Sequence, residues 1–213
     1  GTRKTIDYIN LARVQNLYLE DVFSAAETCT LLVTEMKISN KIFTEEVLPK
    51  ILEEEDYTAE SSIRNTVWNQ FESKVDKVSC LERLCLLYEK KTHSDVNLAE
   101  TYETLLGVDS DNVKALRYFK LVYAQNNEWE EVVNFLNRIL ACVKHKSEKY
   151  RVAQELSVIF LYQLDKPQDA ILTIETHCNQ SPLDTSTILY DAYHRIGKWQ
   201  GCLGVLRECL LSA

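Results

Sequence analysis

Along the second half of the chain, apolar residues recur at the three- and four-residue intervals of helices that bury one face. One phrase occurs twice: Tyr123, Trp129, Val132, Leu136 and Leu140 are matched step for step by Tyr193, Trp199, Cys202, Leu206 and Leu210. A repeated helix-turn-helix unit leaves this signature, because each copy needs its neighbour to cover its apolar face. Trp129 and Trp199 are therefore expected to fill gaps between helices, as core residues more than as platforms for a ligand.

The same reading divides residues 78–211 into four helix pairs, 78–112, 113–146, 150–182 and 183–211. The first joins Leu81, Leu84, Cys85 and Tyr88 to Leu98, Tyr102, Leu105 and Leu106 across a break at His93-Ser94-Asp95. Gly107 and the cluster Asp109-Ser110-Asp111-Asn112 end that pair and cap the next helix. Later turns fall at Asn126-Asn127, at Leu164-Asp165-Lys166-Pro167 and at Gly197. Pro167 stands where proline is tolerated, in the first turn of a helix.

Residues 1–77 are helical without a clean register. One long or two adjoining helices run to about Lys37, and Ser39-Asn40 end them. Thr44, followed by Glu45 and Glu46, is expected to cap the next helix, and Pro49 kinks it or marks its start. Ile63, Val67, Phe71 and Val75 form a ladder, so residues 43–75 read as a degenerate fifth pair. The whole pattern predicts an all-α chain of about twelve helices.

Composition supports this. The 213 residues include only 5 Gly and 3 Pro, too few turn formers for a β-sandwich or an α/β fold. The net charge of −8 argues against a large phosphate-binding surface, and no apolar stretch is long enough to span a bilayer. Seven cysteines without a CxxC spacing read as free thiols in a reducing, cytoplasmic setting. The chain opens on Gly1-Thr2 instead of Met, so the lack of a leader there carries no information.

The pairs resemble tetratricopeptide (TPR) repeats, with their large early residue, central Tyr, small residue opening the second helix and closing Pro. Only Pro182 fills the closing position, and Cys85, Lys120, Ser157 and Tyr190 replace the early small residue. The resemblance implies a right-handed α-solenoid of antiparallel pairs and a non-catalytic adaptor or scaffold that binds a protein partner in a groove lined by the first helix of each pair. On this chain the groove positions include Lys114, Arg117, Leu121, Arg151, Gln154, Val158, Leu161, Tyr162 and Asp184. Cations beside apolar side chains suit an amphipathic helix or extended peptide carrying acidic residues. The family's clamp for a C-terminal carboxylate needs Lys, Asn, Asn, Lys and Arg. Here those positions read Glu82, Leu86, Tyr118, Arg151 and Glu155, or one repeat on Arg117, Leu121, Glu155, Asp184 and Ile188, and neither frame fits.

Catalytic and cofactor motifs are missing: there is no Gly-rich phosphate loop, nucleophile elbow, HExxH or paired-Cys zinc spacing, and no cofactor, metal or enzyme activity is implied. Cys142 and His145 with His177 and Cys178 come nearest to a metal site, but a packed thiol and a solvated imidazole explain each equally well. An RNA-binding repeat array would place basic and stacking residues at one position in every repeat, which this chain does not do. The other reading is an assembly subunit that self-associates through its last helix. There Leu203, Leu210 and Leu211 extend the apolar surface beyond one face, toward a second copy or further chain.

Overall fold

The computed structural model describes the backbone of residues 2–178 and 182–212, and side chains over 3–178 and 185–211. Among the described residues every regular element is helical. The chain divides into two compact units, residues 1–110 and 111–213. The sequence groups 78–112 with the later pairs, whereas the division falls after Ser110.

In the first unit α1 (Thr2–Leu17) packs against α2 (Val22–Met36), two helices with Asp21 capping the second through the Ser24 amide at 3.0 Å. A broken stretch follows: α3 (Asn40–Ile42), a π-helical turn over Phe43–Val47 and α4 (Leu48–Ile51). Ser39 caps this stretch. Thr44 does not, because it lies inside the π turn with its hydroxyl turned to Arg64. Pro49 sits in the first turn of α4, so it marks a start.

α5 (Tyr57–Val67) ends in a 3-10 turn over Trp68–Gln70, and α6 (Lys74–Leu87) begins at its cap Ser73. The ladder therefore buries Ile63, Val67 and Phe71 but leaves Val75 exposed, since the chain has turned before reaching it. α6 continues through a π turn over Tyr88–Thr92 and pairs with α7 (Asp95–Val108). It is tied to the rest of the first unit by side chains: Asn40 Nδ2 donates to Ser79 Oγ at 3.2 Å, and Arg83 donates to Glu60 at 2.9 and 3.0 Å.

The second unit is an array of antiparallel helix pairs, α8 (Val113–Gln125) with α9 (Trp129–Cys142), α10 (Lys146–Tyr162) with α11 (Pro167–His177), and α12 (Pro182–Arg195) with α13 (Trp199–Ser212). Each helix packs on the next, and α10 also touches α12, as stacked pairs require. The three turns inside the pairs share one solution. A left-handed residue, Asn127, Asp165 or Gly197, lets the next amide reach back to the end of the first helix. Glu128 donates to the Tyr123 carbonyl at 3.0 Å, Lys198 to Tyr193 at 2.9 Å, and Lys166, after a turn one residue longer, to Phe160 at 2.7 Å.

Within the first pair Phe135 stacks on Phe119 and Tyr123, with ring centroids 5.9 and 5.4 Å away. In the last pair the Tyr193 ring fills the space a Cβ at Gly201 would take, as close as 2.6 Å, so that α13 crosses α12 where only glycine fits.

Candidate functional site

The first helices of the second unit, α8, α10 and α12, present the residues expected to line a groove. Lys114, Arg117 and Leu121 lie on α8, with Leu121 exposed, and on α10 Arg151, Val158 and Tyr162 are exposed with Gln154 partly so. Leu161 is fully buried: the helix turns it toward the core, and its carbonyl accepts from Arg195 Nη1 at 2.8 Å. The side chain of Asp184 lies outside the described residues.

The cations are distributed unevenly. Arg117 on α8 pairs with Glu148 on α10, and Lys120 pairs with Glu155 at 2.8 Å. These cross-helix pairs lock α8 to α10 and neutralise two of the charges that would otherwise face a partner. Arg151, exposed on the same face of α10, has no ion pair or hydrogen bond among the described residues. At the far end of α10, Tyr162 donates to Asp191 Oδ2 on α12 at 2.6 Å, and Arg195 stands over its ring at 5.4 Å. Tyr162 thus joins α10 to α12, and that hydrogen bond, with burial behind it, raises its hydroxyl pKa.

Two open cavities meet at Arg151 and Glu155. One, of about 450 Å³, lies among Arg117, Lys120, Glu148 and Arg151, over a floor of Leu136, Ile139 and Val152. The other, of about 460 Å³, is walled by Trp129, Val158 and Ile159 and rimmed by Arg151, Gln154 and Gln163. The first is dominated by charged groups. The second is an apolar slot with a cation at its edge. Lys114 and Leu121 line neither, so the structure gathers Arg117, Arg151, Gln154 and Val158 and leaves those two outside.

Trp129, a core residue by its spacing, is only partly buried, because its indole forms the wall of the second cavity. Trp199 departs further: it is 60% exposed and meets the edge of His194, with centroids 5.2 Å apart. The helix that covers α9 has no counterpart over α13 among the described residues. Leu203 and Leu210 are exposed at 54% and 79%, and so is Leu211. Leu206, a core residue by its spacing, is 47% exposed for the same reason as Trp199.

Two of the buried cysteines are held in the thiol form. Burial pushes the thiol of Cys29 up to about 12 and that of Cys178 up to about 11, so both keep their protons at neutral pH. Among the described residues no three His, Cys, Asp or Glu side chains lie together in a metal-binding arrangement. No helix among them is long and apolar enough to cross a membrane.

No protein-family model matches the chain, and no curated protein is significantly similar to it. Among solved structures it is similar to the crystal structure of a Podosopora anserina kinesin light chain protein with nearly identical TPR-like repeats. The match covers 96% of this chain and 92% of that one, at 15% sequence identity and a TM-score of 0.35. A superposition that loose does not constrain how the helices are arranged.

Proposed function

We propose that the chain is a non-catalytic interaction module whose second unit binds an amphipathic segment of a protein partner along α10. Arg151 carries this reading. It stands exposed at the rim of both cavities without a carboxylate partner among the described residues, beside an apolar slot formed by Trp129, Val158 and Ile159. A bound segment satisfies both features when it inserts a large apolar side chain into the slot and places a carboxylate on the guanidinium, which can grip it through two hydrogen bonds. Arg117 and Lys120 serve differently. Their pairs with Glu148 and Glu155 shape the wall, and a partner's acid must compete with those pairs to reach them.

Selection from a random peptide library on the immobilised chain tests this. Recovered peptides should place Asp or Glu next to Leu, Phe or Trp, and their affinity should drop at least tenfold on Arg151→Glu and on Val158→Asp. Leu172→Asp, at an exposed residue of α11 outside both cavities, should leave binding unchanged. Peptides without an acidic preference, or indifferent to Arg151→Glu, overturn the reading.

A further inference from the structure

Trp199, Leu203, Leu206 and Leu210 follow one another at intervals of four, three and four residues, the spacing of a straight apolar seam down one side of a helix. All four are exposed, at 60, 54, 47 and 79%. The buried face of α13 is a different one, formed by Cys202 and Val205. α13 therefore has two apolar faces, and α12 uses only one of them. The same seam exists in α9 as Trp129, Val133, Leu136 and Leu140, where α10 packs on it and buries Leu136 and Leu140. The seam is thus one on which, elsewhere in this molecule, a helix docks.

We infer that the seam of α13 is covered by the seam of α13 in a second copy of this chain, running antiparallel across a two-fold axis. Charge favours this occupant. The seam is bordered on one side by Cys202 and Cys209 and on the other by Gln200 and Arg207. Antiparallel pairing about a centre near Gly204 and Val205 sets Arg207 of each copy across from Gln200 of the other, so no like charges face each other. Glu208 points elsewhere, into a cavity shared with Tyr193 and Gly201. The net charge of −8 is therefore not concentrated where the copies meet.

The surface also continues beyond α13. The Tyr190 and His194 rings stack at 6.2 Å, and His194 meets Trp199 edge-on, which carries an aromatic ridge onto α12. From Trp199 to Leu210 the seam is about 17 Å long. Four side chains on one short helix make a smaller patch than the about 800 Å² per partner of a standard interface, so the dimer is expected to be weak, dissociating at micromolar concentration. A two-fold contact uses the same patch on both copies and closes at two, without leading to fibres. Leu211 lies a quarter turn or more off the seam and is not part of it.

Sedimentation velocity from about 1 to 200 µM tests the inference. The parent chain should pass from monomer to dimer and no further, and Leu206→Glu with Leu210→Glu should raise the dissociation midpoint at least tenfold. Leu172→Glu, which places the same charge on another exposed leucine, should change nothing. Circular dichroism checks that the double variant folds, and Leu210→Ser at the most exposed seam position repeats the test more mildly. A parent chain that stays monomeric throughout overturns the inference and leaves the seam to a different helix, as does a dimer that survives both seam variants or an assembly that grows past two. None of these outcomes depends on Arg151, so failure here is distinct from failure of the peptide-binding reading.

Discussion

The two compact units hold their interiors together by different means. The second is a regular array. Its helices end in similar turns, and apart from Asn112, Ser157 and Thr185 its buried residues are apolar among those described. The first is interrupted by two π turns, a 3-10 turn and two helical pieces of three and four residues. Each interruption strands backbone groups that buried polar side chains must satisfy. Asn16 donates to the Ile51 carbonyl at 3.2 Å, where α4 ends, and the backbone amide of Asn40 donates to Asp76 at 3.0 Å. Regular repetition lets apolar packing suffice, whereas irregular backbone needs polar pins.

The strongest pin is Arg64, which is fully buried. Its Nε donates to Glu60 at 2.8 Å, and its other nitrogens reach Thr44 at 3.2 Å and Asn40 at 3.4 Å. Glu60 is held from the other side by Arg83. Removing the carboxylate with Glu60→Ala strands a buried guanidinium, which costs about 3–5 kcal/mol. Urea denaturation should show that loss. A cost below about 1 kcal/mol, the net worth of an ordinary hydrogen bond, would mean the first unit does not depend on its polar interior.

In the second unit the corresponding experiment is apolar. Leu136 is 1% exposed beneath α10, and Leu136→Ala should cost about 2–5 kcal/mol through the cavity it leaves. The two variants should then separate by pH. Burial alone would raise the Glu60 carboxyl, but hydrogen bonds and charge from Arg83 and Arg64 outweigh it and hold the group below the ordinary carboxylate range. A carboxyl depressed in the folded state contributes stability that is complete above its unfolded pKa, about 4.3, and is lost as pH falls through the folded value. The gap between the parent and Glu60→Ala should therefore narrow as denaturation is measured at successively lower pH below about 4.3. The Leu136→Ala gap should stay level, and parallel behaviour of the two would erase the distinction.

How far each unit is legible in the sequence follows from the same contrast. In the second unit helical period, the Asn112 cap, Pro167 and Gly197 all point one way, and helix bounds follow from local chemistry. In the first, Ser39 reads as the end of a helix and Thr44 as the cap of the next, and only packing against α5 and α6 makes Ser39 the cap. Glu60 and Arg64 form a visible i,i+4 pair, but such pairs usually lie in solvent, and nothing local shows Arg64 to be buried. The resemblance to tetratricopeptide repeats is what directs Lys114, Arg117 and Arg151 toward a groove. That Arg117 is taken by Glu148 while Arg151 is not depends on how α8 and α10 cross. Cover is tertiary in the same way, so Trp199 and Leu206 read as core although no helix among the described residues lies over them.

The smallest expected effect tests that last point most directly. Leu206 holds in α13 the place that Leu136 holds in α9, in the same phrase, yet it is 47% exposed. Truncating it removes methyl groups that already face water, leaves no cavity, and even gains slightly in helix propensity, since Ala is the best helix former. At a dilution where the chain is monomeric, Leu206→Ala should shift stability by no more than about 0.5 kcal/mol, the range of ordinary surface changes. Thermal unfolding near 1 µM, beside Leu136→Ala, checks it. A loss comparable to that of Leu136→Ala would show that α13 is covered within a single copy, and both the comparison of the two helices and the two-fold seam would fall with it.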